Sequence, residues 1–100
     1  MNNQPEIKLP LTPSQADILA VIGDFLQRRY YPPTITEIQQ ELGILNPGTV
    51  HKALTALEKK CYITKEKNIA RGIRLTPLGE EICARERQLK LELGIFRREE

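Results

Sequence analysis

A chain of 100 residues, 40% of them hydrophobic, makes one domain with a single modest core. Its net charge of +2 is unevenly spread: residues 1–45 carry three Lys/Arg against five Asp/Glu, residues 46–75 seven against two, and residues 76–100 five against six. Basic charge gathered in one segment is the footprint of a polyanion-binding surface, which by itself leaves DNA, RNA and an anionic membrane open.

No apolar run approaches the ~20 residues of a membrane span, so no membrane partner is expected. The start, MNNQPEIKLPL, lacks a basic stretch followed by an apolar one, so no secretory leader is expected and the chain reads as cytoplasmic. Cys61 and Cys83 form no C-x-x-C pair and His51 is the single histidine. Reduced thiols, no metal and no cofactor are the expectation. No small-molecule ligand is evident.

Residues 1–10, polar with Pro5 and Pro10, read as a flexible N-terminal arm. The first helix opens at Thr12-Pro13-Ser14-Gln15, with Thr12 as the cap, Pro13 in the first turn and Gln15 placed to complete a capping box. Ile18, Leu19, Ile22, Phe25 and Leu26 give it a helical stripe. Gly23 inside that helix costs roughly 1 kcal/mol against alanine, which points to close packing there. Pro32-Pro33 ends the helix near Arg29–Tyr31. A second capping box, Thr34-Ile35-Thr36-Glu37, opens a short helix that buries Ile35, Ile38 and Leu42 and stops at Gly43.

Asn46 to Lys60 reads as a third helix, with Asn46 as cap and Pro47 at its first position. Val50, Ala53, Leu54 and Leu57 form the buried stripe. Gly48, Thr49, His51 and Lys52 crowd the exposed first turn and a half, an end that suits the major groove of DNA. Taken alone, this helix reads first as an ordinary amphipathic one with a solvated face, and the alternative for His51 is a solvated surface histidine. Joined to the second helix by a tight turn, it becomes a helix-turn-helix.

After Lys60 the period changes. Residues 61–65 alternate as a strand, 66–70 turn, and 71–75 return with Ile73 and Leu75 facing one way and Arg74 the other. Such a hairpin is a wing, and Lys65, Lys67, Arg71 and Arg74 are spaced to meet phosphates; the competing reading is that they are only exposed hairpin charges. Thr34, Thr36 and Asn46 are further phosphate candidates at helix starts, although N-capping alone accounts for Thr34. A fourth helix runs from about Pro77 to Leu93, its Ile82, Leu89, Leu93 and Phe96 forming a candidate dimer contact. A frayed terminal helix is the competing reading, since Arg85 and Glu86 interrupt the stripe.

LTPSQADIL, YYPPTITEIQQELGI, the helix through HKALTALEKK, and RGIRL together resemble the N-terminal DNA-binding domain of LexA repressors, from Leu11 to Leu75. The family pattern is L-T-x-x-Q, then G-x-P-P-T-x-x-E-I-A-x-x-L-G-F, an A-L-x-x-K-G-x-I segment, and R-G-I-R-L. The resemblance implies a winged helix-turn-helix, mainly α with a small β-hairpin, over 11–75, with 76–100 as an added C-terminal helix. It also implies a homodimer that represses at inverted-repeat operators in double-stranded DNA. The positions LexA uses to read bases map onto Gly48, Thr49, His51 and Lys52, where well-known members carry asparagine and glutamate, so the operator does not transfer. The family's self-cleaving peptidase domain is expected to be absent, the sole serine being Ser14; dimerisation then falls to the fourth helix. Cys61 stands where the family has glycine, at a cost of roughly 1–2 kcal/mol if that residue is left-handed. Tyr31 replaces the glycine expected before P-P-T.

Two other classes of function compete. A winged helix can serve as a protein-interaction module, or as an anti-repressor pairing with a full-length repressor. The charge of residues 46–75 favours DNA over both. Catalysis is not expected, because neither cysteine has an orienting group beside His51, and there is no Gly-rich phosphate loop or paired-carboxylate constellation.

Overall fold

Each of the first three helices begins where a side chain stands in for the missing preceding turn. The computed structural model describes residues 11–93, with side chains as far as Gln88. In α1 (Pro13–Arg29) the Thr12 hydroxyl accepts from the Gln15 amide and the Gln15 side chain accepts from the Thr12 amide. Thr34 and Glu37 make the same reciprocal pair at α2 (Ile35–Leu42). At α3 (Pro47–Lys59) the Asn46 side chain accepts from Gly48 N–H at 2.8 Å. Strands β1 (Ile63–Lys65) and β2 (Ile73–Leu75) follow, then α4 (Pro77–Leu93).

The two strands pair antiparallel, Ile63 with Leu75, Thr64 with Arg74 and Lys65 with Ile73. The hairpin is shorter than its alternating sequence suggests, for two reasons. Cys61 and Tyr62 close α3 instead of extending β1: Cys61 N–H donates to Glu58 O and Tyr62 N–H to Leu57 O, the paired bonds of a Schellman cap. Arg71 and Gly72 belong to the turn, where Gly72 N–H donates to Ile69 O. The result is a mainly helical winged helix-turn-helix.

One core joins all six elements. Ile18, Leu19 and Ile22 from α1 meet Ile38, the α3 stripe Val50, Leu54 and Leu57, Tyr62 of the α3 cap, the strand residues Ile63 and Ile73, and Cys83 of α4. The stripe read from the sequence of α3 is the buried one. Gly23 is where α4 approaches α1, and a Cβ built there would lie 2.7 Å from Cys83 Sγ. Burial pushes the Cys83 thiol up from its ordinary pKa, so it stays protonated and acts as a small apolar filler.

Among the described residues, three that are not glycine are left-handed: Tyr30, Cys61 and Asn68. Tyr30 (φ 65°) closes α1 with its N–H on Leu26 O, so the position that asks for glycine ahead of P-P-T is Tyr30, not Tyr31. Cys61 (φ 69°) is the left-handed residue of the α3 cap, where its Cβ costs roughly 1–2 kcal/mol. Cys61→Gly is therefore expected to stabilise the domain by about 0.5–1 kcal/mol, the relief being offset in part by glycine's greater freedom when unfolded. Thermal unfolding reads the sign, and a melting temperature below wild type would contradict it.

Candidate nucleic-acid interface

The buried stripe of α3 turns Thr49, His51, Lys52 and Thr55 outward, with Gly48 exposed in the same first turn. Among the described residues, the side chains of His51 and Lys52 have no hydrogen bond or ion pair. Across from them, the hairpin and α3 enclose an open cleft of about 430 Å³, lined in part by His51, Glu58, Lys65, Glu66 and Lys67. His51, Lys65 and Lys67 are thus brought together on one side of the molecule. Lys65 is half-buried there, on the inner face of β1, while Lys67 is fully exposed near the turn.

Two of the expected phosphate-binding cations sit elsewhere. Arg74 pairs with Thr64 on the outer face of the hairpin, opposite the face that carries Lys65. Arg71 is not an open cation. Its Nη1 donates to Glu37 Oε1 and to Pro32 O, and its Nη2 to Glu37 Oε2, each at 2.8 Å. The guanidinium also lies 4.4 Å from the centroid of the Tyr31 ring. Arg71 thereby pins the base of the wing to the start of α2, a bidentate pair whose planar fork lysine does not reproduce. Glu37 consequently has two tasks, since its Oε1 also accepts from Thr34 N–H at 2.9 Å. The capping box in the sequence announces the local task only; the partner 34 residues away carries no local signal.

Other predicted positions are partly engaged. The Thr34 hydroxyl accepts from Glu37 N–H, whereas Thr36 is exposed. Asn46 uses its side-chain oxygen in the α3 cap, leaving only the amide NH2 to face outward. Lys60 donates to Gln15 Oε1 at 2.7 Å, tying the end of α3 to the start of α1. Ile82 is half-buried and packs against the core. The side chains of Leu89 and Leu93, and Phe96 as a whole, lie outside the described residues. Residues 84–88 of α4 are all exposed.

The Arg71 hydrogen bonds, and next the Thr34 amide, hold the Glu37 carboxyl at about 2 against its ordinary 4.5. The depressed value makes the ionised carboxylate a source of stability that is fully present above 4.5 and lost as pH falls through about 2. Glu37→Gln keeps a capping acceptor, as Gln15 provides in α1, and removes the charge. The wild type is expected to melt above this variant at neutral pH, and the gap to close between about 4.5 and 2. A gap independent of pH would refute the role given to the charge.

A family model described as LexA DNA binding domain matches residues 8–72. This chain belongs to the LexA DNA-binding domain family. It is 39% identical over 74 residues to a LexA repressor of Pelotomaculum thermopropionicum, covering 72% of this chain and 36% of that protein. It is 46% identical over 67 residues to one of Pseudomonas chlororaphis, covering 67% and 33%. The chain thus spans about a third of the length of these LexA relatives. Among solved structures, a mutant of Lactococcus lactis ZitR superposes with a TM-score of 0.58 at 22% identity, covering 93% of this chain and 65% of that one. That likeness is one of fold, and it extends beyond the part matched by the LexA family. Among the described residues no group of three or more His, Cys, Asp or Glu is placed to hold a metal ion. No described helix is long and apolar enough to cross a membrane.

Proposed function

We propose that this chain is a sequence-specific double-stranded DNA-binding regulator that represses by occupying an inverted-repeat operator as a homodimer. The observation that carries the reading is the LexA DNA-binding match over residues 8–72. Its support is the exposed, polar and basic first turn of α3. In this reading that turn enters the major groove, where Thr49, His51 and Lys52 meet base edges and Gly48 lets the backbone approach. Lys52 donates to guanine O6 or N7. Lys65 and Lys67, with Thr36 and the Asn46 amide, meet phosphates and set the register. Two copies pair through the C-terminal segment that carries Leu89, Leu93 and Phe96; the exposure of residues 84–88 just ahead of it supports this reading.

The test is selection of duplexes from a randomised pool at two salt concentrations, with the protein's mass in solution measured alongside. An enriched inverted repeat, the mass of a pair and an affinity that falls steeply with salt are expected. If no motif enriches even at low salt, the operator reading fails and the surface serves a protein partner instead.

A further inference from the structure

Leu45, the residue ahead of the Asn46 cap, is 93% exposed. It does not sit in a loose loop. Gly43 closes α2 in the left-handed conformation, and the Gln39 amide Nε2 donates to the carbonyl oxygens of Ile44 and Leu45 at 3.2 and 3.1 Å. On the other side Asn46 caps α3. The backbone is pinned before and after Leu45, with Ile44 turned to the core and Leu45 turned out.

An apolar residue at this position ordinarily packs on the fourth residue of the helix that follows, as a hydrophobic staple. Here that residue is Val50, which is fully buried and leaves Leu45 uncovered. The leucine surface contributes almost nothing to the fold. Leu45 rims a shallow hollow with Thr36, Gln39 and Gln40 and with the backbone turn of Gly43 and Ile44. Among the described residues, none of the other exposed large apolar ones, Tyr30, Tyr31 and Ile69, joins it there. One exposed leucine, bordered by hydroxyl and amide groups and by the half-buried Ile44, is an apolar patch of a size that fits one methyl group better than an extended apolar partner.

If the first turn of α3 lies in the major groove, the apolar feature within reach of the residue just ahead of it is the 5-methyl of thymine. We propose that Leu45 reads a thymine methyl in each half-site, with Thr36 and Gln40 beside the same strand. The assignment rests on the operator-binding reading above. It adds a base-reading residue that lies outside the recognition helix.

The experiment selects duplexes with the wild type and with Leu45→Ala, then replaces each thymine of the selected duplex, one at a time, by deoxyuridine, which removes only the methyl. At one thymine per half-site the replacement is expected to weaken wild-type binding about fourfold. That corresponds to the ~0.8 kcal/mol of one buried methylene-sized group, at 1.4 kcal/mol per tenfold. The same replacement leaves Leu45→Ala binding unchanged, and this variant melts with the wild type because its side chain supports nothing. Equal losses in both proteins at every thymine would overturn the assignment while leaving the operator reading intact. Failure of the wild type to enrich any duplex would overturn both.

Discussion

Gly79→Ala is expected to destabilise this domain by about 2–3 kcal/mol, the upper part of the overpacking range. The first turn of α4 is tied to the end of α3 through Thr76. The Thr76 hydroxyl reaches Cys61 O at 2.6 Å and Tyr62 O at 3.1 Å and accepts from Gly79 N–H, while Thr76 N–H donates to Tyr62 O. A Cβ on Gly79 would run into that same Tyr62 carbonyl. The oxygen belongs to a buried residue and is held by Thr76, so relief requires moving backbone. Gly23→Ala supplies the contrast, because its new Cβ meets the Cys83 side chain and alanine recovers roughly 1 kcal/mol of helix propensity. At about 4–8 °C per kcal/mol for a domain of this size, thermal unfolding separates the two variants clearly. Equal melting temperatures would remove the special status given to the α3–α4 junction.

Lys52→Ala is expected to weaken operator binding about 10–100-fold and to relax preference at one base position, the signature of a lost base contact. The melting temperature should not move, since Lys52 is exposed and without a partner among the described residues. Lys67→Ala provides the matching case for a phosphate contact. It weakens binding evenly across sequences and reduces the salt slope by about one. Binding curves on selected and scrambled duplexes at two ionic strengths distinguish the two. A uniform loss for Lys52→Ala would move it from the base-reading set to the phosphate set.

The helix starts were legible because capping is local chemistry: Thr12 with Gln15, Thr34 with Glu37, and Asn46 with Pro47 are each contained within a few residues. The buried stripe of α3 and the glycine stop of α2 were legible for the same reason. What the sequence concealed lies in contacts between distant segments. Arg71 has the residue type and position of a phosphate-binding wing cation, yet Glu37, Pro32 and Tyr31 engage it. Alternation extended β1 back to Cys61, but the Schellman bonds claim Cys61 and Tyr62 first. Leu45 carries no local signal of its own, because an apolar residue before an N-cap is ordinarily a staple; its exposure shows that here it is not one.

The exposure of residues 84–88 bears on the energetics of α4 as an ensemble. Beyond Cys83 the described side chains of this helix, residues 84–88, are exposed; a solvent-exposed Glu81–Arg85 pair at 3.0 Å adds local support, of a kind worth a few tenths of a kcal/mol. Helical turns without tertiary packing are marginal in water. This part of α4 therefore occupies the low end of the domain's local-opening spectrum, while the turns anchored by Leu78 and Cys83 open with the core. Any contact that covers the outer turns must supply their ordering entropy at the moment of association. Its affinity is correspondingly lower per unit area than a rigid surface of equal size would give.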